Sequence, residues 1–365
     1  MKDKKILESK IYNVTPSRKL VQTKSPVDNA SLTKGEPNFY YSCENGPDQW
    51  LVKIPKLKGR DYFVVDQPLI GDAPKDFVSI YSYGNCRRRK ISTWPRYLAK
   101  FGQKNYPVES ITEHLISRIG AMFGFDMAET TLYLIRGELR LFSKYFLIED
   151  QFLMHGAQII ATYLNDPMQE FVGLIEEKKL EKEFFTYQVI INAIEYVFPE
   201  QAKKIIEALF SLLLFDAIVG NKDRHHYNWG VITDVSRTNE PRLSPIYDSA
   251  RGLFWNLHDQ KIRDFFGKRN VIDKQRLMGY LNKSIPIIGW EGKRKVNHFE
   301  LVKLILGLHP SLKNTCSILV DFDLLENVYA MMDREFKLLM TDHRFRLIKE
   351  CLKLRLHELI DIFNH

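Results

Sequence analysis

The chain has 365 residues, of which 45% are hydrophobic and 27% charged, and its formal net charge is +8. This composition excludes a disordered, collagen-like or low-complexity chain, and the length allows two or three domains or one two-lobed unit with a large core. The excess of Lys and Arg favours anionic partners such as nucleotides, nucleic acid or acidic lipid, without choosing among them.

Cysteine spacing and hydropathy narrow the class of protein further. Four cysteines stand far apart, without Cys-x-x-Cys spacing, so they predict reduced thiols and exclude a zinc ribbon or a disulfide scaffold. The first five residues have no apolar run behind them, which argues against a signal peptide. The longest apolar stretch, 208–220, contains Asp216 and is too short to span a bilayer. We therefore expect a soluble, cytoplasmic protein.

The N-terminal part of the sequence predicts mainly strands. A polar arm over 1–38 precedes two β-type segments, 39–41 and 50–54, which flank an Asn-Gly turn and favour a hairpin. Residues 56–106 are rich in Gly and Pro and predict a loop-rich insertion. Apolar residues at three- and four-residue spacing predict a helix over 108–123, and two further strands are expected at 130–135 and 138–148.

Beyond residue 150 the periodicity becomes helical. An apolar run predicts a buried central helix over 208–219, and further helices are expected at 274–281, 298–308, 318–332 and 343–362. Short strand-like pieces at 229–233 and 243–247 interrupt them. The sequence thus predicts an α+β protein with a β-rich lobe over 39–149, a helical lobe over 150–365 and a ligand cleft between them.

The segment that follows the central helix combines several groups able to do chemistry. It carries Asp223, His225, His226 and Asn228, and a second carboxylate, Asp248, follows at the end of a predicted strand. Mg²⁺ prefers oxygen ligands beside phosphate oxygens, and an acceptor hydroxyl needs a carboxylate that takes its proton. In the protein-kinase pattern, Asp-x-x-x-x-Asn and a later Asp supply these groups, so the spacing predicts phosphoryl transfer.

Other interpretations of these residues stay open. Asp223 and Asn228 alone are typical of a turn or a helix cap. His225 and His226 could be zinc ligands, but no further Cys or His lies at metal-ligand spacing.

The kinase pattern also requires a lysine on an N-lobe strand and an acidic residue on the following helix. Lys53 interrupts the apolar run 51–54 and is predicted to touch the nucleotide phosphates. Glu113 is predicted to hold that lysine, with Glu109, one turn earlier on the same face, as the alternative. Without a role in nucleotide binding, Lys53 would be an edge-strand residue with its amine in water, and Glu113 would be a surface charge.

Several of these segments resemble those of one kinase family. The segments 221–228 (Asn-Lys-Asp-Arg-His-His-Tyr-Asn) and 245–248 (Pro-Ile-Tyr-Asp) resemble the catalytic and metal-binding motifs of HipA-family serine/threonine kinases. The segments 51–55, 112–115 and 143–146 are similar to the nucleotide-lysine strand, the N-lobe helix and the hinge strand of that family. The resemblance covers about residues 40–310 and implies a two-lobed protein-kinase-like fold.

The resemblance also implies roles for individual residues and two cofactors, ATP and Mg²⁺. Asp223 would be the catalytic base, and Asn228 and Asp248 would be metal ligands. The implied nucleotide-binding residues are Lys53, Glu113, His225, the hinge residues Lys144 and Phe146, and Gly46 in a phosphate-covering loop over 42–48. Ser42 would be the site of autophosphorylation.

The implied substrate is a protein with a Ser or Thr acceptor, and three alternatives remain. Asp-Arg-His-x-x-Asn also resembles the core of phosphoinositide kinases, and the basic runs 87–90 and 292–295 suit acidic lipid. A protein that has this fold and binds nucleotide but does not catalyse phosphoryl transfer would be a pseudokinase. A nucleic-acid-binding protein is disfavoured because the sequence has no helix-turn-helix, zinc-finger or RNP-like pattern. The first 40 residues are short for the N-terminal subdomain of full-length HipA proteins and do not support an antitoxin-like partner.

Overall fold

The computed structural model describes residues 53–65, 75–100, 102, 105–166, 169–178, 180–236, 238–293 and 295–364. In this part of the chain a five-stranded antiparallel sheet comes first, and a mainly helical region follows. The strands run in the order β1-β2-β3-β5-β4. Their bounds are Tyr62–Val65 (β1), Lys75–Ile80 (β2), Arg96–Lys100 (β3), Thr130–Ile135 (β4) and Glu138–Lys144 (β5).

Three of these strands lie within 56–106, the segment predicted as a loop-rich insertion, and the structure corrects that prediction. Strand β3 forms the centre of the sheet, with Lys100 paired to Lys75 on β2 and to Leu141 on β5. The strands are short and carry charged residues at their ends, so their local pattern resembles that of loops. Pairing with neighbours far along the chain makes them strands.

The hairpin β4–β5 and the helix that precedes it match the sequence prediction. Arg136 and Gly137 have positive φ at the turn, as tight two-residue hairpins require. Helix α1 runs over Val108–Phe123 and buries Ile111, Leu115 and Ile119. It packs against β4 and β5 and thus lies on one face of the sheet.

The C-terminal region consists of helices around a small second sheet. That sheet contains β6 (Gln151–His155), β7 (Gly230–Asp234) and β8 (Arg242–Leu243). The helices are Gly156–Tyr163 (α2), Glu170–Glu177 (α3), Glu181–Phe184 (α4), Tyr187–Val197 (α5), Ala202–Val219 (α6), Asp259–Arg263 (α7), Lys274–Asn282 (α8), His298–Leu308 (α9), Ser311–Cys316 (α10), Phe322–Glu335 (α11) and Asp342–Asn364 (α12).

Helix α6 lies at the centre of the helical region, as its apolar sequence predicts. It contacts α5, α9, α10 and α12, and its side chains belong to a core that continues into α1, β4 and β5. The helix ends at Gly220, whose φ of 68° is the left-handed conformation that glycine adopts without strain. Among the described residues, no helix combines the length and the apolar character that crossing a bilayer would need.

Candidate active site

The loop that follows α6 is closed by hydrogen bonds between its own ends. The Asn221 side chain donates to Asp216 Oδ1 over 2.9 Å and accepts from the Asp223 backbone N–H over 3.4 Å. At the other end, Asn228 Nδ2 donates to the Asp223 carbonyl oxygen over 2.8 Å. Asp223 and Asn228, predicted from their spacing to act together, therefore lie in contact.

A buried ion pair fixes this loop to the rest of the helical region. Arg224 is 0% exposed, and its guanidinium donates to both carboxylate oxygens of Asp216, each over 2.9 Å. It also donates to the carbonyl oxygens of Asn228 and Tyr247 and to Ser249 Oγ, each over 2.7 Å. Burial alone would lower the pKa of Arg224, but Asp216 raises it, so the guanidinium stays charged. One side chain thus joins α6, the loop and the segment that carries Asp248.

Sequence analysis assigned no role to Asp216 or Arg224. The available signal was a single carboxylate inside the apolar run 208–219, because a buried charge requires a partner. Arg224 lies eight residues further along the chain, outside the helix that carries Asp216.

Backbone pairing places Asp248 beneath the five-stranded sheet. The Ile246 N–H donates to the Asp126 carbonyl over 2.7 Å, and the Ala128 N–H donates to the Ile246 carbonyl over 2.9 Å. These bonds tie the segment before Asp248 to the chain between α1 and β4. Asp248 itself has a φ of 51°, which an aspartate tolerates better than most residues do. Asp248, predicted as a metal ligand, lines a pocket with Glu113 of α1 and Ser143 of β5.

Lys100, at the end of β3, contacts the carboxylates of Glu113 and Asp248. Its Nζ lies 2.8 Å from Glu113 Oε1 on α1 and 3.0 Å from Asp248 Oδ1. Burial alone would lower the pKa of Lys100, but Asp248 and Glu113 raise it, so the ammonium stays charged. The Asp248 carboxyl is partly desolvated, and Lys100 nevertheless holds its pKa below the ordinary value. Burial raises the pKa of Glu113, with Lys100 opposing.

The predicted pairing of Lys53 with Glu113 was wrong. Lys53 is helical and exposed, and its Nζ donates to the Arg334 carbonyl at the end of α11 over 3.2 Å. Glu113, rather than the alternative Glu109, forms the ion pair, with Lys100 as its partner. The long separation between Lys53 and Glu113 was the available signal, since 60 residues is far for a strand and its next helix.

Asp223 lies against a second cation that sequence analysis left without a role. Arg251 Nε is 3.0 Å from Asp223 Oδ2. Burial raises the pKa of Asp223, and Arg251 opposes that effect. A carboxylate with a raised pKa beside a cleft is typical of a group that accepts a proton.

The two histidines of the loop have different surroundings. His225 Nδ1 accepts a hydrogen bond from the Tyr227 N–H over 3.2 Å, and burial lowers its pKa while Asp223 and Asp248 oppose the shift. The His226 ring packs 4.5 Å from the Phe185 ring centroid, and burial lowers its pKa to about 3. In the described segments, no three His, Cys, Asp or Glu residues are grouped as a metal site, so the zinc interpretation gains no support.

The donor chemistry of Asn228 and Asp248 suits a magnesium ion. The amide nitrogen of Asn228 is committed to the Asp223 carbonyl, which turns Oδ1 to the opposite side of the amide. Lys100 pairs with Oδ1 of Asp248, whose side chain is 38% exposed. An amide oxygen and a carboxylate are the hard ligands that Mg²⁺ takes when nucleotide phosphates and water complete its shell.

Of the remaining predicted nucleotide-binding residues, the structure describes Lys144 and Phe146. The Phe146 ring lies 5.7 Å from the Tyr247 ring, next to Asp248. The ammonium of Lys144 pairs with Glu129 over 2.6 Å, and the Lys144 backbone N–H donates to the Glu129 carbonyl oxygen over 2.8 Å, so neither donor is open to a hinge contact with adenine. Gly46, Ser42 and the predicted loop over 42–48 lie outside the described residues, as do most of the predicted hairpin and the arm.

Comparison with known proteins agrees with this geometry. The family model for the HipA-like C-terminal domain matches residues 69–275. Among solved structures, the chain is similar to the Helicobacter pylori proinflammatory kinase CtkA, with 17% identity, a TM-score of 0.61 and coverage of 82% of this chain and 94% of that one. This likeness confirms the predicted α+β, kinase-like fold.

A second solved structure is less similar, and curated sequences add nothing. It is the Shewanella oneidensis toxin–antitoxin complex of HipA, HipB and operator DNA, with 13% identity, a TM-score of 0.45 and coverage of 73% of this chain and 59% of that one. No curated protein matches the sequence significantly.

Proposed function

Because the chain belongs to the HipA-like C-terminal domain family, we propose that it is an ATP- and Mg²⁺-dependent kinase that phosphorylates Ser or Thr of a protein. The observation that carries the proposal is the contact of Lys100 with both Glu113 and Asp248, next to the loop that holds Asp223 and Asn228. A kinase requires this lysine–glutamate pair and a metal carboxylate to be in place together.

The nucleotide binds in the cleft in this proposal. The Lys100 ammonium contacts the phosphates, and Glu113 holds it there, since Glu113 lies 2.8 Å away on a helix anchored in the core. The end of the hinge strand, after Lys144, and the ring of Phe146 lie against the adenine. His225, beside Asp223 and Asp248, donates from its second ring nitrogen to the phosphates.

Transfer then requires a base and an orienting loop. The acceptor hydroxyl oxygen attacks the γ-phosphorus, the bond to the β,γ-bridging oxygen breaks, and Asp223 takes the hydroxyl proton. Arg224 and Asn228 keep Asp223 in place through their bonds to the loop. Asn228 and Asp248 would hold Mg²⁺, which neutralises phosphate charge when bound.

Intact mass spectrometry of the purified protein tests the proposal. The wild type and Asp223→Ala are incubated with ATP and Mg²⁺, alone and with a set of protein acceptors. We expect one or more phosphate-sized mass increases, on the chain or on an acceptor, with the wild type alone. Vesicles containing phosphoinositides form a parallel arm.

Two outcomes would overturn the proposal in different ways. Phosphate transfer to lipid but to no protein would make the chain a lipid kinase. Thermal stabilisation by ATP and Mg²⁺ without transfer to any acceptor would make it a nucleotide-binding pseudokinase, since a ligand that binds the folded state raises its apparent stability.

A further inference from the structure

Arg251 is held beside Asp223 by three separate contacts. Its Nε lies 3.0 Å from Asp223 Oδ2, and its guanidinium carbon lies 5.0 Å from the centre of the Trp255 ring. Its backbone carbonyl accepts a hydrogen bond from the Lys222 N–H over 3.3 Å, so the main chain is tied to the same loop. These contacts fix the guanidinium beside Asp223.

The Arg251 guanidinium has N–H donors that the ion pair with Asp223 does not use. An arginine has five N–H donors in a planar fork. Within the described residues, the ion pair to Asp223 uses Nε, and the two terminal amino groups have no hydrogen-bond partner. The side chain is 37% exposed, so its contacts with Asp223 and Trp255 do not close it off from a ligand.

Two other cations near Asp223 and Asp248 are already committed. Lys100 is shared between Glu113 and Asp248. Arg224 is fully buried, and its terminal nitrogens donate to Asp216, Ser249 and two backbone carbonyls. A phosphoryl group that moves towards a hydroxyl held by Asp223 would therefore meet Arg251, a cation with unused donors.

We propose that Arg251 is a catalytic residue of the kinase site, which donates from its terminal amino groups to the phosphoryl group during transfer. This inference rests on the proposed function. The oxygen–phosphorus bond to the acceptor forms, the bond to ADP breaks, and Asp223 takes the acceptor proton. Arg251 neither gains nor loses a proton, and it offsets negative charge on the oxygens of the transferred group.

The test compares Arg251→Gln and Arg251→Lys with a matched control, Arg276→Gln. Arg276 also pairs with a carboxylate, Asp264 at 3.7 Å, and lies 5.3 Å from the centre of an aromatic ring, Phe265. It is 51% exposed and does not contact Asp223. The control thus removes a similar ion pair and ring contact without touching the site.

Three quantities are measured for each variant: kcat for phosphoryl transfer, KM for ATP, and the Tm increase caused by ADP with aluminium fluoride, which mimics the transferred group. For Arg251→Gln we expect kcat to fall about 100- to 1,000-fold, as for loss of one charge-stabilising donor. We expect KM for ATP to change less than about threefold and the Tm increase with aluminium fluoride to be lost. Arg251→Lys should keep part of kcat and part of the Tm increase with aluminium fluoride. Arg276→Gln should behave as the wild type.

Other results would overturn the inference. Unchanged or increased kcat in Arg251→Gln would show that Arg251 is dispensable or restrains Asp223. Equal losses of ATP binding and of the aluminium fluoride effect would assign Arg251 to ground-state binding. A wild type that transfers no phosphate overturns the proposed function, and the aluminium fluoride comparison alone then judges Arg251. A wild type that transfers no phosphate and also gains no stability from ADP with aluminium fluoride overturns both.

Discussion

The ammonium of Lys100 lies 2.8 Å from the Glu113 carboxylate, although one residue ends a central strand and the other lies in the second turn of a helix. The same ammonium lies 3.0 Å from Asp248, in the helical half of the chain. A single cation therefore links the sheet, helix α1 and the segment that carries Asp248. This arrangement is the one that phosphoryl transfer requires, so its parts can be tested one by one.

We expect Lys100→Met to reduce phosphoryl transfer by at least about 100-fold, because Glu113 and Asp248 would lose their shared cation and the phosphates their anchor. Lys53→Met is the matched control, since it removes a lysine whose contact is a backbone carbonyl on α11. A radiolabelled phosphate assay measures both. Loss of activity in Lys53→Met with normal activity in Lys100→Met would restore the assignment made from sequence.

The two aspartates should separate binding from chemistry. Asp223→Asn should keep the stabilisation by ATP and Mg²⁺ but lose transfer by about 100-fold or more, because the amide cannot take the acceptor proton. Asp248→Asn should lose both the stabilisation by ATP and Mg²⁺ and the transfer, since it removes the carboxylate proposed to hold the metal. Thermal shift at several Mg²⁺ concentrations, with a parallel transfer assay, measures the difference. Equal Mg²⁺ dependence in the two variants would contradict the assignment of Asp248.

The buried pair of Asp216 and Arg224 should dominate the local stability of the loop. Asp216→Ala leaves a fully buried guanidinium without its counter-ion, which costs about 3–5 kcal/mol of unfolding free energy. Asp264→Ala, which removes an exposed carboxylate, should stay within about 0.5 kcal/mol. Urea unfolding followed by circular dichroism compares the two. A small effect of Asp216→Ala would show that the loop does not depend on this pair.

His114 on α1 should make the fold sensitive to acid. Its Nδ1 lies 2.9 Å from Thr130 Oγ1 and its ring 5.4 Å from the Phe336 ring. Burial lowers its pKa to about 4, with Arg118 adding to the shift and Glu335 opposing it. Between pH 6.5 and 4 the unfolded chain therefore binds more protons. The stability due to the neutral ring is present above pH 6.5 and is lost as the pH falls.

We expect about 2 kcal/mol of this stability to be lost between pH 7 and pH 5. Urea unfolding of the wild type and of His114→Gln at both pH values measures it. The variant should lose about 2 kcal/mol less than the wild type over this range. Equal losses in both proteins would show that His114 is not held neutral in the fold.

Elements formed by residues that are close together in the sequence were predicted well. Helix α1 over 108–123 and helix α9 over 298–308 match their predicted bounds, because apolar periodicity within one helix is a local property. Asp223 and Asn228 lie within one short loop, so their contact also depends on nearby residues. Short strands and their partners were identified less well, since a strand such as β3 is stabilised by distant residues.

The sequence by itself determined the helical framework and the order of the acidic motifs, which predicted a kinase-like site. Only the tertiary structure decided which lysine completes that site. The residues next to a lysine in the sequence do not show whether its ammonium faces water or a carboxylate, so they could not distinguish Lys53 from Lys100. The register of β3 in the sheet and the packing of α1 bring Lys100, Glu113 and Asp248 together, and both depend on contacts between residues far apart in the chain.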